Sequence, residues 1–338
     1  MDKVFTPKKL VRGAFESVDL PRLPVVPWIF THAARLEQVS LKKLFSDPTQ
    51  YTKCLQNAQK LYGYDGIVGS FDSSLEAEIC GRPVKWGGDY ETPTVSPDPG
   101  FDLARLKDIN VESASKTGRF GIVIESLRRI NKVAGPNLAL AVVVSGPLCL
   151  MAGLTGRDPL DELNEKPEEA MRDIEATADF LLKVVQVYCQ LELDIIAVAD
   201  RWLASLPVAH LHRLRSAFSP IINTVRFYNA FSALLPGTSL PDTITNLLDL
   251  GFDGIVASGI DVNAWQKIRN GRSCILGSAI PAPVLNSGVN ELQEYLDEYM
   301  PDKIEPGVFL TTDGEVPAET PPENIQLIMN LISNKSRP

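Results

Sequence analysis

Leu138 to Val144 reads Leu-Ala-Leu-Ala-Val-Val-Val, apolar at every position. A strand with one wet face alternates apolar and polar side chains. A strand that is apolar throughout suits a parallel sheet covered on both faces. Such a sheet needs helices to cover it, so this run predicts an α/β domain. Other short β-rich runs lie at Leu23–Phe30, Gly66–Gly69, Leu193–Ala199, Ile221–Phe227, Asp253–Ala257, Ser273–Gly277 and Gly307–Thr311. Helical stretches separate them. The longest, Glu162–Gln190, carries Ile174, Ala178, Leu181, Val185 and Tyr188 near the 3.6-residue period. Strand and helix alternating in this way predict a single (β/α)8 TIM barrel over residues 1–338, with an N-terminal helical extension. The competing fold, an open doubly wound sheet, commonly has G-x-G-x-x-G after its first strand, and none follows here.

Composition narrows the function classes. The net charge is −9 and lysines and arginines form no block, so nucleic acid is not an expected partner. The 5 cysteines are scattered without a C-x-x-C pair, which argues against a disulfide framework and for a reducing cytoplasm. Met-Asp-Lys-Val-Phe does not begin like a signal peptide. Val133–Gly156 is free of charge, but Pro136, Gly146 and Pro147 break it, so a membrane span is not expected either. A homo-oligomer stays open.

Chemistry in a TIM barrel gathers where the strands end. The stretch DGIVGSFDSSLEAEICGRPVKW, Asp65–Trp86, places Asp72 just past such an end, with Glu76 and Glu78 on the turn that follows. Asp72 is either a site acid or a turn cap. Glu78 reads as a solvated surface acid, and Glu76 is left open. Asp200 ends the fourth run and either lines a pocket or pairs with Arg201. His32 follows the first run, and Trp28 within it suits an aromatic wall at the barrel mouth. Arg226, Tyr228 and Asn229 leave the fifth run as a donor set for developing negative charge, or as a repacked plug. His210 and His212 form an H-x-H in a helical stretch, where i and i+2 point apart, so metal binding is not expected there. Cys149 reads as a buried thiol without an activating partner.

Three stretches carry a family resemblance: PVVPWIFTHAARL at Pro24–Leu36, the Asp65–Trp86 stretch, and GVFLTTDGEVPAETPPENIQLIMNLI at Gly307–Ile332. With the Ser145-Gly146-Pro147 turn and the Asp-Gly-Ile strand start at Asp253, the chain resembles the uroporphyrinogen decarboxylase superfamily along nearly its whole length. That superfamily includes corrinoid-linked methyltransferases, and P-W-I-x-x-H-A-A at Pro27–Ala34 and P-x-E-T-P-P-E-N at Pro317–Asn324 are closer to that branch. The resemblance also implies a TIM barrel. It aligns the decarboxylases' R-Q-A-G-R anchor with Thr31–Arg35, keeping only Arg35, and their central aspartate with Asp72. Their tyrosine falls on or near Gly153 and their histidine on Gly314. The methyltransferases' zinc-binding H-x-C falls on Arg226 and Tyr228, and their later cysteine on Gly314, between Asp313 and Glu315, so the resemblance implies no family-type zinc site.

These readings imply a corrinoid (cobalamin)-dependent methyltransferase-like enzyme that moves a one-carbon group between a small donor and a partner corrinoid protein. Asp72, His32, Arg226 and Tyr228 would carry the chemistry, and Trp28, Arg35, Glu76, Asp200, Asn229 and Asp313 would bind substrate or cofactor. Two alternatives stand beside this: a divergent uroporphyrinogen decarboxylase, and a non-catalytic barrel subunit of a methyltransferase system.

Overall fold

In the computed structural model, residues 5–237, 241–300 and 305–334 are described. The strands are β1 Gly66–Phe71, β2 Val84–Lys85, β3 Thr94–Val95, β4 Ala139–Ser145, β5 Ile195–Ala199, β6 Phe231–Leu235, β7 Gly254–Ser258, β8 Ile275–Ile280 and β9 Val308–Thr312. β2 and β3 form a small antiparallel hairpin, and the other strands form a 7-stranded parallel sheet in the order β1-β4-β5-β6-β7-β8-β9. The first predicted run supplies the remaining position around the ring. Val26 N donates to Leu310 O (2.9 Å), Leu310 N to Pro24 O (2.8 Å), and Asp65 N to Val25 O (2.8 Å), so this segment bonds to both edges of the sheet. Its ladder is reduced to one bridge, Val25 with Leu310. Pro24 and Pro27 lack the N–H groups that a longer ladder requires. The predicted (β/α)8 closure is therefore achieved by the 7 parallel strands, the seam segment and their helices.

Each strand feeds two cores. In β4, Ala139, Ala141 and Val143 face the barrel interior, and Leu140, Val142 and Val144 pack under the outer helices. This is why the run is apolar at every position. The small interior alanines leave room for Trp28 and Phe309 inside.

The predicted fifth strand is corrected. Ile221–Phe227 lies in the helix Val208–Phe227, and the strand that follows is β6. Leu211, Leu214, Phe218, Ile221, Ile222 and Val225 make one buried helical face. Pro220 sits inside that helix, where a proline normally signals its end, and the β-branched residues after it imitate a strand.

The bottom of the barrel is tied down by charge and capped by aromatic rings. The predicted N-terminal extension is the helix Pro7–Phe15, whose Phe15 stacks on Phe231 (4.5 Å) and Phe309 (5.6 Å). Aspartates just before three strands each take a cation. Asp65 accepts two bonds from Arg22 at 2.6 Å, Asp194 takes Lys8 (3.1 Å) and Arg12 (3.2 Å), and Asp253 takes Arg226 (2.7 Å). Among the described residues, no helix is long and apolar enough to cross a membrane. Val133–Gly156 contributes β4 and the short helix Pro147–Thr155 instead.

Candidate active site at the barrel mouth

At the C-terminal ends of the strands lies a cavity of about 260 Å³. Phe71, Asp72, Ser145, Cys149, Arg201 and Asp313 are among its walls. A second cleft of about 440 Å³ shares Ser73, Ser145, Cys149 and Arg201 with it, and runs under Thr94 and Val95 of the small hairpin. The walls are mainly apolar with a few polar groups, the usual make-up of a small-molecule site.

Asp72 is placed by the end of β1 and is held from three directions. Its Oδ1 accepts from Ser74 N (2.9 Å) and Ser74 Oγ (2.7 Å), and its Oδ2 faces Arg119 Nη1 at 2.5 Å. Arg119 also bonds Glu78 Oε2 (2.6 Å) and lies over the Phe45 and Trp86 rings. Asp72 thus caps a turn and lines the cavity at once. Glu78, expected to be solvated, is half-buried in this ion pair.

Glu76 is buried behind the wall. Its Oε2 accepts from Ser145 Oγ at 3.1 Å, and burial, with Asp72 nearby, pushes its carboxyl up to about 7. Glu315 lies where β9 has ended. It takes a 2.5 Å bond from Thr31 N, and burial raises it to about 8. The residue as a whole is half-buried. Asp313 lines the cavity, accepts from Ala282 N (3.2 Å), and is raised by burial. Asp200 is sealed behind Cys149. It accepts from Leu148 N (2.9 Å) and so satisfies the start of the helix Pro147–Thr155, and burial pushes it up to about 6. Gly146 is required there, because a Cβ would meet the Asp200 carboxylate at 2.3 Å. Burial and Asp200 both push the Cys149 thiol up, so it is not a poised thiolate.

Of the predicted site residues, Asp72 and Asp313 meet in the cavity, with Glu76 and Asp200 immediately behind its wall. The others are elsewhere. His32 is buried off the cavity, with Nε2 at 2.8 Å from Tyr62 Oη and Nδ1 at 3.2 Å from Ala318 O. Burial lowers its pKa. Trp28 is fully buried in the interior core, with its backbone N–H on Thr312 Oγ1 (3.2 Å) at the end of β9. Arg35 is exposed and stacks over Tyr90 at 5.5 Å. Arg226, Tyr228 and Asn229 stand at the bottom, because the strand they were thought to leave is the end of a helix that precedes β6. Arg226 pairs with Asp253, Asn229 turns the chain at φ 58° and accepts from Arg12, and Tyr228 packs against exposed Phe227. His210 meets Asn164 Oδ1 at 3.0 Å on the helix.

The corrected strand also moves the zinc comparison. β6 ends in Ala233-Leu234-Leu235 and is followed by Pro236 and Gly237, none of which offers a ligand side chain. Among the described residues, no group of three or more His, Cys, Asp or Glu is arranged to hold a metal ion. The donor set at this strand end does not fit zinc. Arg201 is read from the sequence only as a partner for Asp200, and among the described residues it forms no ion pair with it. It lines both cavity and cleft, stays exposed, and contacts the Trp202 ring rather than an acid. Its signal was the position directly after a strand-end aspartate.

Residues 6–334 match the family described as Uroporphyrinogen decarboxylase (URO-D). Two curated relatives, both named methylcobamide:CoM methyltransferase MtbA, are similar from end to end. The protein from Methanosarcina mazei is 23% identical, with 98% of each chain covered, and that from Methanosarcina acetivorans is 22% identical over the same shares. A solved methyltransferase from Methanosarcina mazei shares the fold, with a TM-score of 0.83 at 16% identity, covering 98% of this chain and 99% of that one. The barrel, the acid at the end of β1 and the match over nearly every residue agree, and the chain belongs to the uroporphyrinogen decarboxylase family.

Proposed function

We propose that this protein is a corrinoid-dependent methyltransferase of the uroporphyrinogen decarboxylase family, passing a one-carbon group between a corrinoid and a small molecule held at the barrel mouth. The observation that carries this is the end-to-end similarity to two proteins named methylcobamide:CoM methyltransferase. The cavity supports it. At about 260 Å³ it lies below the roughly 300–1,000 Å³ of drug-sized ligand sites, so it suits a small donor or acceptor. A corrinoid is larger than that and would have to meet its substrate from outside, at the opening beside Arg201 and Asp313. This fits a corrinoid presented by a partner protein. When bound, the corrinoid supplies either the methyl group or the reduced cobalt that accepts it. The protein's own share is to orient the small reactant and manage charge.

The decarboxylase reading fares worse for an electrostatic reason. A porphyrinogen with eight carboxylates needs several free cations. Arg119 is committed to Asp72 and Glu78, and Arg35 stands outside on Tyr90. Arg201 remains at the mouth.

The test is to mix the full chain, without oxygen, with methylcobalamin and a thiol, and separately with reduced cobalamin and methyl donors. The visible spectrum of the corrinoid reports transfer in either direction. Protein-dependent change is expected. Release of carbon dioxide from uroporphyrinogen with no change in corrinoid would replace this reading with the decarboxylase one.

A further inference from the structure

Ser145 stands between the mouth and a sealed acid. It lines both the cavity and the side cleft. Its Oγ is 3.1 Å from Glu76 Oε2 and 3.4 Å from the Ser73 carbonyl, and its N–H donates to Glu76 Oε1 at 3.4 Å. Glu76 is only 1% exposed. The groups that face it are Asp72 at the end of β1, Cys80 at the end of its own helix, and Tyr188 from the helix Pro167–Cys189. None of these is a cation. Arg119, the nearby base, is committed to Asp72 and Glu78.

A serine hydroxyl has one proton to place. With Glu76 ionised, Ser145 donates to Oε2. With Glu76 protonated, the carboxyl donates to Oγ, and Ser145 turns its proton to Ser73 O or to a group in the cavity. Both arrangements use the same heavy-atom positions, so a proton can cross the wall without moving the backbone.

We propose that Glu76, acting through Ser145, stores and returns the proton of the small reactant bound at the barrel mouth. This rests on the methyl-transfer reading. For an acceptor with an S–H bond, the thiol proton passes to Ser145 Oγ as the Ser145 proton passes to Glu76 Oε2. The thiol electron pair forms the S–CH3 bond, and the pair of the broken cobalt–carbon bond stays with the corrinoid. In the reverse sense, Glu76 returns the proton to the leaving group through Ser145. Glu76 never touches the reactant and is a positioning residue in this scheme, held half-protonated near neutral pH by burial.

Infrared difference spectra of the full chain, titrated from acid to alkaline pH, read the store directly. Beside the bands of Asp200 and Glu315, the wild-type protein should lose a protonated-carboxyl band with a midpoint of about 7 that Glu76→Gln lacks while keeping the other two, and Ser145→Ala should keep it with a raised midpoint. With methylcobalamin and 2-mercaptoethanol as probes, kcat should show a limb at the same pH. Both variants should lose that limb and about 100-fold in kcat, with KM nearly unchanged. A band unchanged in Glu76→Gln overturns the proposal. So does methyl transfer whose pH profile survives in both variants, and that result leaves the methyl-transfer reading intact. If the band behaves as expected but the wild-type protein transfers no methyl group, the methyl-transfer reading fails and the relay falls with it.

Discussion

Arg119 Nη1 lies 2.5 Å from Asp72 Oδ2, and both side chains are shut away from solvent at the edge of the barrel mouth. A buried pair of this kind is more informative when one partner is removed than when it is intact. Arg119→Met should leave Asp72 and Glu78 without their cation, at a cost of about 3–5 kcal/mol in urea unfolding. Adding Asp72→Asn should recover part of that loss. Equal stability for the wild type and Arg119→Met would show that the pair is not held as described.

Arg201 gives the opposite expectation. It is exposed and makes no contact with an acid in the cavity wall, so Arg201→Gln should change folding stability by no more than about 0.5 kcal/mol. Its effect should fall on ligands. A charge-assisted bond is worth about 1.5–3 kcal/mol, so the variant should weaken a carboxylate-bearing thiol by about ten- to a hundredfold relative to a neutral thiol. The paired KM values of 3-mercaptopropionate and 2-mercaptoethanol check this. An unchanged ratio would remove Arg201 from substrate recognition.

Stability should fall as pH rises toward neutrality. Glu76, Asp200 and Glu315 are raised to about 7, about 6 and about 8 by burial. Between their ordinary values near 4 and these raised ones, the folded protein keeps protons that the unfolded chain has released. The unfolded state then binds fewer protons, so the unfolding free energy decreases with pH across that window. His32 acts in the other sense. Its pKa is lowered by burial, so its contribution is complete above about 6.5 and declines below. Glu76→Gln should flatten the falling limb up to about pH 7, as read from urea midpoints at stepped pH. The same slope in both proteins would contradict the burial of Glu76 as an acid.

Phe15 closes the bottom of the barrel by stacking on Phe231 and Phe309. Phe15→Ala should cost about 3–5 kcal/mol, the range for emptying a buried aromatic site. Transfer activity at the far end should survive wherever the protein is still folded. Loss of activity without loss of stability would place a function at the bottom face.

The fold was largely legible because burial on two faces writes itself into sequence. β4, β5, β7, β8 and β9 all fall where short apolar runs predicted them. The fifth strand was missed because local preference and tertiary packing disagreed. Ile221 to Phe227 looks like a strand after a proline, yet its apolar residues continue a helical face begun at Leu211. That one shift carried Arg226, Tyr228 and Asn229 to the wrong end of the barrel. Asp72 and Asp313 were legible because they sit where strands end. The surroundings of Glu76 and Asp200 come from enclosure by Ser145, Leu148 and Cys149, which no spacing reports. His32 follows the first run as expected, but its hydrogen-bond partners Tyr62 and Ala318 are brought to it by tertiary packing, which no spacing reports.

The seam between Val25 and Leu310 has a consequence for how this molecule comes into being. The two residues are close in space but stand near opposite ends of the chain, and the bonds that join them cannot form until β9 has left the ribosome. The helix Pro7–Phe15 and the Pro24–Trp28 segment emerge first and wait, with Trp28 and Phe15 still open to water. Closing so long a loop comes late and slowly. Through that interval the edges of β1 and β9 are unpaired, so the last step of folding is also the step at which a nascent chain is most exposed to capture by a neighbour.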